Sequence, residues 1–175
     1  MAQEGVSRYS IEADWNKLYI GGEWDESTSG NSIAVDDPST RETVTQVPRG
    51  TEADVDAAYE AAAEAQTEWG QTPPARREEL VQNLLQTVDE HSEEIVELLA
   101  TEAGQAAGIG ETSVHLTEDQ IAEAATMPRR MKGEHAASNI PGKENIVYRE
   151  PEGVVTVISP WNFPLNLTAR ALAPA

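Results

Sequence analysis

Three features of the 175-residue chain predict an α/β fold. Residues 18–47 form short strand-like stretches around a Gly21-Gly22 pair. From Thr51 onward the apolar spacing changes from two to nearly four. Residues 154–158, Val-Val-Thr-Val-Ile, are an unbroken β-branched run bounded by Gly153 and Pro160. A period of two marks half-buried strands and a period near 3.6 marks helices with one apolar face. A short apolar run between chain-breakers marks a strand buried on both faces, as parallel sheets require.

The elements follow in order. Residues 1–17 form a polar arm, and residues 18–47 carry a hairpin turning at Gly21-Gly22 and strands over 32–35 and 43–47. Thr51 caps a first helix with Asp54 at the third following position; Val55, Ala58, Tyr59, Ala62 and Trp69 share one face, Trp69 as a core anchor, and Gly70 ends it. Pro73-Pro74 opens a second helix that runs inward through Leu80, Leu84, Leu85 and Val88 to about His91. Ser92 caps a third, with Ile95, Val96, Leu98 and Leu99 inward and Gly104 closing it. A fourth spans about 117–131, with Ile121, Ala124 and Ala125 inward and Pro128 interrupting or kinking it. Residues 139–145 are turn-rich, 146–148 form a strand, 154–158 the buried strand, and 169–172 begin a last helix.

Composition narrows the function. Aromatic content of 5% makes the core thin for this length. The formal charge of −19, from 31 acidic against 12 basic residues, repels nucleic acid and anionic membranes. Such acidity beside clear amphipathic helices points to a halophile's cytoplasmic protein, since salt screens the self-repulsion. No targeting signal or membrane-length apolar run is visible. Zero cysteine excludes disulfides, thiol redox chemistry and Cys-rich zinc sites. His91, His115 and His135 lack metal-ligand spacing and read as surface or helix-end residues, so no metal is expected. Gly104, Gly108 and Gly110 follow a helix rather than a strand and fail the context of a phosphate-binding loop. Glu102 reads as a helix-terminal carboxylate, and Glu78-Glu79, Glu94 and Glu97 as solvated helix faces.

The 154–158 run leads into Ser159-Pro160-Trp161-Asn162-Phe163-Pro164. A polar side chain just past such a strand's carboxyl end sits where open α/β sheets bind ligands. Prolines 160 and 164 restrict the backbone on both sides, so the turn holds Asn162 reproducibly. On local chemistry two readings of Asn162 stand level: it hydrogen-bonds its own turn, as Asn often does in loops, or it serves a ligand.

The whole string from Val154 to Leu165, with Ala173-Pro174-Ala175 after it, closely resembles the strand and turn that open the Rossmann-like nucleotide-binding domain of NAD(P)-dependent aldehyde dehydrogenases. Pro-Trp-Asn-Phe-Pro at 160–164 is the specific part. Leu18-Tyr19-Ile20-Gly21-Gly22-Glu23-Trp24 resembles that family's amino-terminal hairpin, and Asp37-Pro38-Ser39-Thr40 its next turn, with Asp37 in place of the usual Asn. Residues 62–69, Pro74-Ala75-Arg76-Arg77 and Glu102-Ala103-Gly104 resemble later segments. So do Met131-Lys132-Gly133-Glu134, Pro141-Gly142-Lys143-Glu144-Asn145 and Arg149-Glu150-Pro151-Glu152-Gly153, which lean towards members acting on aromatic aldehydes of the benzaldehyde or vanillin type.

The resemblance implies an organisation: 1–17 as arm, 18–138 as the hairpin, strands and helices of the cofactor-binding domain, 139–152 as part of a small β segment that pairs subunits, and 153–175 as the first strand and turn of the nucleotide-binding core. It also implies NAD or NADP as cofactor, an aldehyde as substrate, a homo-oligomer, Ile158, Ser159, Pro160, Trp161 and Asn162 lining the nicotinamide-ribose side, and Asn162 as the catalytic donor to the developing oxyanion. The family's nucleophilic cysteine, general-base glutamate, ribose-holding lysine and glycine-rich turn have no counterpart in these 175 residues. A thiolate that adds to the aldehyde carbonyl is the premise of that chemistry. The chain by itself is therefore expected to be an inactive portion of an aldehyde-oxidising enzyme. The alternative is a non-catalytic remnant or interaction module that docks onto a full-length relative.

Overall fold

The computed structural model describes residues 16–175. Most of the expected polar arm, residues 1–15, lies outside them. Six strands and five helices follow one another: β1 (Leu18–Ile20), β2 (Glu23–Asp25), β3 (Ser32–Asp36), β4 (Thr43–Pro48), α1 (Glu52–Trp69), α2 (Pro74–Glu90), α3 (Ser92–Ala103), α4 (Ala107–Arg130), β5 (Glu134–Ala137), β6 (Glu144–Val147) and α5 (Pro164–Leu172). The strands form three separate antiparallel hairpins, β1 with β2, β3 with β4 and β5 with β6. The fold is thus α/β, a helical bundle with short open sheets.

Local rules account for the first half. Ile20 pairs with Glu23, which leaves Gly21-Gly22 as the two-residue turn expected. The Thr51–Asp54 capping box forms in both directions. The Asp54 carboxylate also accepts from the Ser27 hydroxyl at 2.9 Å and the Thr28 N–H at 3.1 Å, so this buried acid ties the β2–β3 loop to the head of α1. These donors, the Thr28 N–H foremost, hold its pKa well below the usual carboxylate range despite the opposing effect of burial.

The core sits between α2, α4 and α5. Val88, Val114, Ile121 and Ala169 are buried there, with Val81, Leu85, Ile95, Val96 and Leu165 packed around them. Central helix α4 contacts α2, α3 and α5. Ile121, Ala124 and Ala125 face inward as the periodicity indicates, 1%, 2% and 4% exposed.

Several expectations need correction. α4 begins at Ala107, ten residues before the predicted start, and takes in Gly108 and Gly110. Gly110 lets the helix lie against α3: a Cβ there would stand 3.1 Å from Val96 Cγ1. Pro128 falls in the last turn and does not stop the helix before Arg130. His91, not Ser92, occupies the N-cap of α3 and has no capping side-chain bond; its ring meets Glu94 at 2.9 Å instead. The predicted inner face of α1 is open, with Val55 and Tyr59 about half exposed. Trp69 is only half-buried, covered by the Arg77 guanidinium 5.6 Å from its ring centroid. The strand expected at 146–148 is β6, shifted back to Glu144–Val147, and its partner β5 carried no periodic signal because all four of its residues are exposed.

The largest correction concerns residues 154–158, expected as a buried parallel strand. They lie outside every ladder among the described residues. Val155 is 59% and Ile158 89% exposed. A β-branched run favours extended backbone by itself, but a strand also needs a neighbour to take its N–H and C=O groups.

Candidate functional site

The candidate turn is held at its base by α5. That helix starts at Pro164, five residues before its predicted start, because proline is tolerated where the first N–H has no intrahelical acceptor. The Leu167 N–H then bonds the Phe163 carbonyl at 3.0 Å, which brings Phe163 to the edge of the helix. Ala169 anchors α5 in the core. Upstream, Thr156 meets the Tyr59 hydroxyl of α1, so the open face of that helix carries the extended segment.

Two contacts fix the turn itself. Ser159 and Thr168 share a hydroxyl–hydroxyl bond of 2.7 Å, and Thr168 also donates to the Pro164 carbonyl at 2.6 Å. From the α3–α4 loop, the Gln105 side-chain amide reaches the Asn162 carbonyl at 3.4 Å. The second is near the limit of a hydrogen bond and weaker than the first. Two buried polar atoms in these segments have no hydrogen-bond partner, Gln105 Oε1 and Asn166 Nδ2.

Of the five residues the sequence singles out, Ile158, Trp161 and Asn162 are exposed, Pro160 is exposed and Ser159 is half-buried. Among the described residues Asn162 enters hydrogen bonding through its backbone carbonyl. Ile158 and Trp161 are 89% and 61% exposed. Residues 153–168 contain no Lys or Arg.

The sequence reading missed Thr168 and Gln105. Thr168 lies nine residues from Ser159, and Gln105 is separated from Asn162 by 57 positions, so no local spacing marks either. Elsewhere, His115 faces Glu118 and Asp119 at 3.7 and 4.0 Å along α4, and His135 faces Glu144 at 3.5 Å across the β5–β6 hairpin. Among the described residues no group of three or more His, Cys, Asp or Glu is arranged to hold a metal ion, and no helix is long and apolar enough to cross a membrane.

Residues 24–175 match the sequence profile described as the aldehyde dehydrogenase family. The chain is 44% identical over 162 residues to a vanillin dehydrogenase of Corynebacterium glutamicum, covering 93% of this chain and 34% of that protein. It is 40% identical over 160 residues to a benzaldehyde dehydrogenase of Bacillus subtilis, covering 91% and 33%. Among solved structures, an NAD-dependent benzaldehyde dehydrogenase from Corynebacterium glutamicum superposes with a TM-score of 0.89 at 42% identity, over 95% of this chain and 36% of that one. The chain spans about a third of the length of these relatives. Names of further relatives carry NADP as well as NAD.

Proposed function

Because the chain belongs to the aldehyde dehydrogenase family, we propose that it is the amino-terminal part of an enzyme that oxidises an aldehyde, of the aromatic class, to a carboxylic acid with NAD or NADP. The observation that carries this reading is the braced turn on which Ile158, Trp161 and Asn162 all stand exposed. NAD(P) supplies the hydride acceptor. Ile158, Ser159, Pro160 and Trp161 would hold its nicotinamide-ribose side, and Asn162 would act on the substrate carbonyl.

The role of Asn162 follows from charge. When a nucleophile adds to the aldehyde, negative charge grows on the carbonyl oxygen. A fixed amide N–H aimed there stabilises that charge more than the neutral ground state, and Asn does so without bearing charge itself. The nucleophile is not supplied here, since the chain holds no cysteine. We assign residues 18–138 to the cofactor-binding domain, 139–152 to a small β segment that pairs subunits in a homo-oligomer, and 153–175 to the start of the nucleotide-binding core. The acidic composition supports a cytoplasmic location at high internal salt.

The test is Asn162→Ala in a polypeptide that continues this chain with a catalytic cysteine. Loss of one oxyanion donor lowers kcat roughly a hundredfold, about 3 kcal/mol, while the NAD(P) dissociation constant stays close to wild type. An unchanged kcat would leave Asn162 a turn residue only. The 175 residues alone are expected to be inactive and to show no calorimetric NAD(P) binding; micromolar affinity would contradict this division of the site.

A further inference from the structure

We propose that Thr168 and Ser159 form a hydroxyl clamp that positions Asn162, an inference that rests on the catalytic reading above. A mid-helix threonine that bonds the carbonyl four residues back is ordinary. Thr168 does this with the Pro164 carbonyl at 2.6 Å, which commits its one proton. The 2.7 Å contact with Ser159 therefore has Ser159 donating and Thr168 accepting. The result is a directed relay from Ser159 through Thr168 to Pro164 that closes the neck of a loop whose tip, residues 160–163, contains Asn162.

The clamp stands where the backbone cannot. Prolines 160 and 164 flank the tip and have no N–H to donate, so hydroxyls replace the missing cross-neck bonds. Both hydroxyls are half-buried, which limits competition from water. Thr168 belongs to α5, which Ala169 anchors in the core, so the clamp is referred to a helix that is itself held. Gln105 adds a longer hold at the Asn162 carbonyl. Neither Ser159 nor Thr168 bonds the Asn162 amide; they act through its placement, to which a reaction is sensitive at the ångström scale.

The experiment measures kcat, KM for benzaldehyde and the NAD(P) dissociation constant in the continued, cysteine-containing polypeptide. Thr168→Val keeps the side-chain shape and removes the relay; kcat is expected to fall about tenfold with cofactor affinity little changed, and Thr168→Ser restores it. Because the clamp works through Asn162, Thr168→Val should lose nothing further in an Asn162→Ala background, and Ser159→Ala with Thr168→Val should be no worse than the more damaging single change. A wild-type kcat in Thr168→Val, or an equal loss with and without Asn162, would overturn the clamp. If Thr168→Val fails to fold, Ser159→Ala, which spares the helix bond, carries the same comparison. Absence of aldehyde oxidation by the wild-type polypeptide would defeat the proposed function separately. The clamp is then decided by nuclear magnetic resonance order parameters of the Asn162 side-chain amide: loosening in Thr168→Val but not in Thr168→Ser supports it, and no change overturns it.

Discussion

Replacing Gly104 with alanine tests how the fold delivers the site. Gly104 ends α3 in the left-handed region, φ 65° and ψ 24°, with its N–H on the Leu99 carbonyl. The next residue is Gln105, which reaches the Asn162 carbonyl. A Cβ at position 104 would lie 2.9 Å from Pro38 Cγ in the β3–β4 loop, closer than van der Waals contact allows. The left-handed backbone costs alanine about 1–2 kcal/mol. Moving the proline ring or the helix end aside adds roughly 1–3 kcal/mol, the usual range for overpacking. The lower entropy of the unfolded alanine chain returns about 0.4–1 kcal/mol. The net loss is about 1–4.5 kcal/mol, at its middle enough to unfold a marginal chain.

Urea denaturation of the 175-residue chain in molar salt, followed by circular dichroism, reads this loss directly. Two further variants separate its parts. Pro38→Ala in the Gly104→Ala background relieves the contact but not the backbone strain, and is expected to recover about 1 kcal/mol or more. Gly104→Asn keeps the contact but tolerates the left-handed backbone better, and is expected to lose less than alanine. Gly104→Ala within about 0.5 kcal/mol of wild type, the scatter of neutral surface changes, would refute both the strain and the packing argument.

Asp54 governs acid stability. Its folded pKa is depressed by the Thr28, Thr51 and Ser27 donors, so its contribution is present above the ordinary aspartate value of 3.8 and is lost as pH falls below it. Asp37, lowered first by the Ser39 hydroxyl, acts in the same direction. Urea midpoints at pH 7, 4 and 3 should fall steeply for wild type and less steeply for Asp54→Asn, whose midpoint is already lower at pH 7; equal slopes would sink this assignment. Ile121→Ala removes the most enclosed apolar side chain of the α2–α4–α5 core and is expected to cost about 2–5 kcal/mol, checked by the same titration. The isolated chain should be poorly folded and aggregation-prone at low salt, because residues 154–158 are exposed and the formal charge is −19. Molar salt should restore a folded monomer by screening and by strengthening apolar burial. Size-exclusion profiles identical at low and molar salt would contradict this.

Features closed within a few residues were legible in the amino-acid sequence. The Gly21-Gly22 hairpin, the Thr51–Asp54 capping box, the Gly104 stop and the inward face of Ile121, Ala124 and Ala125 all obey local geometry, and the structure contains each of them. The Pro-Trp-Asn-Phe-Pro motif was legible in the same way, as a rigid turn between two prolines. Features that depend on a distant partner were not. Gly110 looks like loop until Val96 lies against it as α4 packs on α3. Val55 and Tyr59 have helical spacing, yet periodicity cannot say whether another element covers the face. A β-branched run sets an extended backbone, whereas its ladder belongs to the neighbours, and residues 154–158 have none among the described residues. Sequence alone therefore determined that Asn162 stands in a turn between two prolines, because residue type and local backbone restraint lie within one turn. Only the tertiary structure decided what braces that turn, because the Ser159–Thr168 and Gln105–Asn162 contacts exist only after α5 and the α3–α4 loop have packed into place.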